Sequence, residues 1–192
     1  MANLIDRTTN PLPFAIPEDW SNWLAKTEAS ECWMLLHKKS SGVRSITWEQ
    51  AVIEALAHGW IDSLKKSLNE TQWLQRFTPR KAGSAWSQKN VAHAEKLIAD
   101  GRMTPAGLAH VEIAKANGRW ETAYAGGKAA ELPQDFLDAV AAIPKAAEGL
   151  KALNASNRFA IYLRLTTAKR PETRAKRIAD YVAKLARGGT II

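Results

Sequence analysis

Apolar positions recur at helical spacing over most of the chain and at strand spacing only in its first eighty residues. Trp20, Trp23 and Leu24 share one face after Pro17, which predicts a helix over about 17–26. Cys32 to His37 is an apolar run bounded by Lys38-Lys39-Ser40-Ser41-Gly42, the composition of a short buried strand and its turn. Thr47 followed by Gln50 has the spacing of a capping box. A helix is expected to follow, with Trp48, Val52, Ala55 and Leu56 inward and Gly59 as its left-handed terminator. Residues 60–67 and 71–78 then alternate around Leu68-Asn69-Glu70 as a β-hairpin. Trp60, Trp73 and Phe77 are expected in the core of a small antiparallel sheet.

After Pro79 the period changes to helical and stays so. Ser87 caps a helix over about 88–100 with Val91, Ala94 and Ile98 inward, and Thr104-Pro105 starts another that Gly118 ends. Gly126-Gly127 interrupts the chain, and Pro133 and Pro144 open short helices. Residues 157–167 are apolar on most sides, and a last helix runs from Pro171 to Gly188 with Ala175, Ile178, Val182 and Leu185 inward. The fold class is therefore α+β: a small antiparallel sheet with covering helices, followed by a mainly helical C-terminal half. In domain terms, 1–16 is an extended arm, 17–80 the α+β part, and 81–192 a helical part packed with it as one domain of ordinary size.

Composition narrows the class. No apolar run approaches the roughly 20 residues that cross a bilayer, so membrane insertion is not expected. The first twenty residues hold charges and prolines where a signal peptide has its continuous apolar segment, and a cytoplasmic protein is expected. Cys32, the single cysteine, lies in an apolar run and reads as a buried inert thiol. The net charge of +8 is uneven. Residues 1–60 carry five basic and seven acidic side chains, whereas 61–128 and 129–192 carry eleven and six each. Such a field favours anionic partners: a small molecule, an acidic protein surface or nucleic acid.

Motifs for chemistry are sparse. There is no glycine-rich phosphate loop, nucleophile elbow or HExxH, and the histidines at 37, 58, 93 and 110 are scattered, so no metal or cofactor is expected. The densest mixture of cations, indoles and hydroxyls runs through Arg76, Arg80, Lys81, Ser84, Trp86 and Asn90. It has the chemistry of an anion- or ring-binding surface, with Arg as a planar donor fork and Trp as a platform. Lys169, Arg170, Arg174 and Arg177 gather positive charge at a helix start, against the helix dipole, and are expected to join the first group in one anion-binding surface. A binding protein is the first reading. An enzyme using the same surface, with Asp62 or His58 as acid or base, is the second, and nucleic-acid binding the third. His58 also suits a helix C-terminus, where a cation is favourable.

Several phrases together resemble the YdeI/OmpD-associated, or bacteriocin-protection, family: Gly59-Trp60-Ile61-Asp62-Ser63, Phe77-Thr78-Pro79-Arg80-Lys81, Ser84 to Asn90, Gly101 to Gly107, Ala114-Lys115 with Gly118-Arg119-Trp120, and Ala168 to Arg174. They occur in order over about 17–188. The resemblance implies a role linked to envelope stress or to tolerance of antimicrobial peptides, and it brings no catalytic mechanism with it.

Overall fold

The computed structural model describes residues 10–126 and 130–192. The first nine residues of the expected arm, and Gly127 of the Gly126-Gly127 break, lie outside the described residues. The chain forms two compact units, 1–122 and 123–192, so the expected step from mixed to helical structure at residue 80 falls inside the first.

The first unit is built on a sheet of order β1-β2-β4-β3, from Leu12–Pro13 (β1), Cys32–His37 (β2), Trp60–Ser67 (β3) and Gln72–Pro79 (β4). The hairpin and its pairing to β2 are antiparallel, with Cys32 opposite Phe77 and His37 opposite Gln72. The sheet as a whole is mixed, because β1, read from sequence as part of the arm, pairs parallel to β2. Pro13 has no amide to donate, which suits it to an edge strand, and the neighbouring Phe14 carbonyl accepts the Ile46 amide at 3.0 Å.

Helices Pro17–Lys26 (α1) and Trp48–Ala57 (α2) cover this sheet. The capping box at α2 forms in full, and Gly59 leaves it with φ +75°. Trp20 is completely buried, donates from its indole to the Ala51 carbonyl at 3.0 Å and packs against Phe77 and Trp60, with ring centroids 5.3 and 6.4 Å away. Trp60 and Phe77 are core residues as expected. Trp73 is only part-buried: it sits beside the hairpin turn, opposite Ser67, with the Lys65 ammonium 5.1 Å above its ring. Trp48 departs from the expected inward stripe for a related reason, since the first turn of α2 projects past the core and leaves the indole 41% exposed.

Gln88–Ala99 (α3) and Pro105–Ala116 (α4) complete the unit, with Ser87 and Thr104 as their caps. The buried face of α3 carries Ala94 and Leu97 rather than Ile98, which is exposed. Thr104 reaches past its own helix, donating from Oγ1 and from its amide to the Ala57 carbonyl at 2.7 and 3.1 Å, so the start of α4 caps the end of α2.

The second unit comprises Gln134–Ala141 (α5), Pro144–Ala152 (α6), Ala155–Thr166 (α7) and Pro171–Ala186 (α8). Its core joins Phe136, Val140, Leu150, Ile161, Leu165, Tyr181, Val182 and Leu185. On α8 the buried face turns toward Tyr181, Val182 and Leu185, and Ala175, expected inward, is exposed. Asn157 is a buried polar residue in this unit. Its side-chain oxygen accepts the Ile191 and Ile192 amides at 2.7 and 3.0 Å and holds that segment against α7.

Candidate functional site

The residues singled out from sequence are largely engaged within the fold. Arg76 meets Glu31 of the α1–β2 connection, Nε to Oε2 at 2.7 Å and Nη2 to Oε2 at 2.6 Å. Arg80 is 5% exposed: its amide donates to the Gly59 carbonyl at 2.9 Å, its Nη2 to the Ala85 carbonyl at 3.0 Å, and its guanidinium lies 3.9 Å over the Trp86 ring. Trp86 in turn packs on Trp120 at 4.9 Å, so the pair of indoles shields a cation–π contact of the desolvated, stronger kind. The Ser84 hydroxyl accepts the Lys81 amide at 3.1 Å and closes a turn, while the Asn90 amide is the donor that Ser87 caps.

Lys169, Arg170, Arg174 and Arg177 belong to the second unit, and the Arg76–Asn90 group to the first. Lys169 and Arg170 are exposed, Arg170 at the N-cap of α8. Arg174 grips Asp135 with both terminal nitrogens, Nη2 to Oδ1 at 2.9 Å, and this pairing holds the Asp135 carboxyl below its usual range. Arg177 donates to the Arg164 carbonyl. The cation cluster thus has a carboxylate partner, Asp135, that lies far away in sequence.

Among the described residues of the first unit, two cavities bear on the chemistry. One, of about 520 Å³, is lined by Trp48, Asp62, Ser63, Lys65, Trp73 and Gln75. A β-bulge shapes it: between the pairs Asp62–Phe77 and Lys65–Gln75, β3 has more residues than β4, and the Gln75 amide fills the step by donating to the Leu64 carbonyl at 3.2 Å. The Trp48 indole donates to Asp62 Oδ2 at 3.2 Å, which fixes its ring, and the Lys89 ammonium stands 5.7 Å over that ring while bridging Glu49 at 2.6 Å. Burial pushes the Asp62 carboxyl above the usual aspartate range, against the Trp48 hydrogen bond and the Arg80 charge. Sequence reading found Asp62 but assigned Trp48 and Trp73 to the core. The offset that gives them away, an indole in the first turn of a helix facing the opening strand of a hairpin, exists only in three dimensions.

The other cavity, of about 480 Å³, is lined by Pro17, Glu18, Ser21, Gln50, Ile53, Glu54 and Arg102. Glu54 is buried and ion-paired to Arg102. Ser21 Oγ and His58 Nε2 are 2.9 Å apart. Burial lowers the His58 pKa despite the opposing pull of the Glu54 charge, which disfavours the helix-end cation that its position suggested.

Among the described residues no group of three or more His, Cys, Asp or Glu side chains could hold a metal ion. Cys32 is buried and its thiol is pushed up to about 12, an unreactive state. No helix among the described residues is long and apolar enough to cross a membrane.

Residues 12–110 match the family model described as a domain of unknown function, DUF8412, and residues 129–188 match the one described as Bacteriocin-protection, YdeI or OmpD-Associated. The resemblance drawn over 17–188 is therefore matched by the latter family at its C-terminal end, where the Ala168–Arg174 phrase lies. The phrases between Gly59 and Gly107 fall under the first model. No curated protein and no solved structure matches the chain.

Proposed function

The chain belongs to the DUF8412 family over residues 12–110 and carries a Bacteriocin-protection, YdeI or OmpD-associated domain over residues 129–188, and from that premise we propose that it is a binding protein for a ring-bearing anionic small molecule. The observation that carries this reading is the cavity walled by Trp48 and Trp73. Each indole has an ammonium group over its ring, Lys89 over Trp48 and Lys65 over Trp73. An incoming flat ring takes the place of an ammonium on the indole face, and an anionic substituent keeps the displaced lysine as its counter-ion. Asp62 and Gln75 supply polar atoms at the wall, giving a cleft of apolar platforms with a few convergent polar groups. The Arg80 charge restrains the upward shift of Asp62. The label of the second domain makes bacteriocin protection the setting in which to look for the ligand.

Calorimetric titration with adenosine monophosphate and indole-3-carboxylate tests the reading, alongside neutral adenosine and indole. The anionic rings are expected to bind at least tenfold tighter than their neutral counterparts, to shift the Trp48 indole N–H resonance, and to lose about tenfold or more in affinity in Trp73→Ala. A contact of this kind is worth roughly 1–3 kcal/mol. Equal binding by Trp73→Ala, or an unmoved Trp48 resonance at saturation, overturns it.

A further inference from the structure

We propose that Ser21 is an activated nucleophile with His58 as its general base, in a cavity that accepts an uncharged or cationic carboxylic ester. The pair is a nucleophile and base within hydrogen-bond reach, 2.9 Å from Oγ to Nε2. Both ends are rigidly held. Ser21 follows Trp20, whose buried indole is bonded to α2 through the Ala51 carbonyl, and His58 is the C-cap of α2, with its amide directed to the Glu54 and Ala55 carbonyls. The chain has no slack behind His58 either. Gly59 turns at φ +75°, and a β-carbon there would meet His110 Cδ2 at 2.9 Å and the Ala106 carbonyl oxygen at 3.0 Å.

The surroundings fit the chemistry. Burial lowers the His58 pKa, which favours the ring that takes a proton over the imidazolium. Glu54, 7% exposed, sets a negative charge near enough to favour the imidazolium that proton transfer creates. Arg102, a half-exposed cation of the lining that pairs with Glu54, is a partner for negative charge growing on a carbonyl oxygen. Glu18 and Glu54 outnumber it, so the walls carry net negative charge and disfavour an anionic acyl group.

In the reaction, Ser21 Oγ attacks the ester carbonyl carbon as its proton passes to His58 Nε2. The bond to the alcohol oxygen breaks, and the alcohol leaves with that proton. Water then attacks the acyl-serine ester, giving one proton to His58, which returns it to Ser21 Oγ as the acid departs. Ester and water are the only reactants, and acid and alcohol the only products.

A fluorophosphonate probe with intact-mass analysis and peptide mapping tests this on the full-length protein. One adduct, mapped to Ser21, is expected; it is absent in Ser21→Ala, retained in Ser30→Ala, and formed at least 100-fold more slowly in His58→Gln, since a general base contributes roughly 10²–10⁴-fold. A second variant guards against a fold that does not tolerate Ser21→Ala. In Ser21→Cys the introduced thiol is expected to react with iodoacetamide at least tenfold faster when His58 is present than when it is replaced by Gln. A wild-type protein that takes up no label, a label mapped elsewhere, or an alkylation rate indifferent to His58 reduces the pair to a structural tie between α1 and α2 and overturns the proposal.

Discussion

Replacing Gly149 with Ala sets two effects of known sign against each other. Gly149 is in the interior of α6, where alanine improves helix propensity by about 1 kcal/mol. A β-carbon at this position would also meet the Leu185 carbonyl oxygen at 2.3 Å and its carbonyl carbon at 2.9 Å, where ordinary contact begins near 3.4 Å. The obstacle is the backbone of α8, so it cannot rotate away, and the two helices must part by about an ångström. That separation loosens the packing of Leu150 and Ala146 on Val182 and Leu185, in a core whose density leaves little to redistribute. Overpacking of this kind costs about 1–3 kcal/mol and here involves backbone rather than a flexible side chain. Because backbone cannot yield, the upper part of that range, about 2–3 kcal/mol, applies, the steric effect wins, and a net loss of about 1–2 kcal/mol is expected. Urea denaturation followed by circular dichroism measures it, and hydrogen exchange locates it: amides of α6 and α8 should lose protection while those of the β-sheet keep theirs. Unchanged or increased stability refutes the close approach of α6 and α8, because only the propensity gain would then remain.

Phe77→Ala empties a fully buried site against Trp20 and is expected to cost about 3–5 kcal/mol, read as a lower urea midpoint; an unchanged midpoint shows that β4 is misassigned. The pH dependence has two opposed parts. His58, His93 and His110 are lowered from 6.5 chiefly by burial, so their contribution to stability is complete above about 6.5 and is lost as pH falls through their folded values. Asp62 is raised, so its contribution is complete below the ordinary aspartate range and is lost as pH rises through its folded value. In Asp62→Asn, where only the histidine part of the two remains, the melting temperature should therefore fall from pH 7 toward pH 5.5, and this variant should be more stable than wild type at pH 7 by a margin that closes under acid. A flat profile, or a margin that widens in acid, contradicts the burial assigned to these groups.

What the sequence by itself determined is what four or five residues can decide among themselves. Thr47 with Gln50, Ser87, and Thr104 with Pro105 set helix starts because their hydroxyls reach amides three residues ahead, and Gly59 and Gly118 end helices because they turn at φ +75° and +72°. The hairpin was legible for the same reason, through strand alternation on either side of a turn. Tertiary structure decided every choice among distant partners. Arg76 takes Glu31 across 45 residues and Arg174 takes Asp135 across 39, so two cations that read as part of an anion-binding surface acquire carboxylates that no local pattern pairs with them. Leu12–Pro13 becomes a strand only because β2 offers it an edge, and Trp48 and Trp73 leave the core because helix and hairpin each run past it. Ser21 and His58 meet across 37 residues through the packing of α1 on α2. A local signal is a competition between conformations of one segment. A charge or an indole has many segments to choose from, and its partner is selected by the burial of everything else.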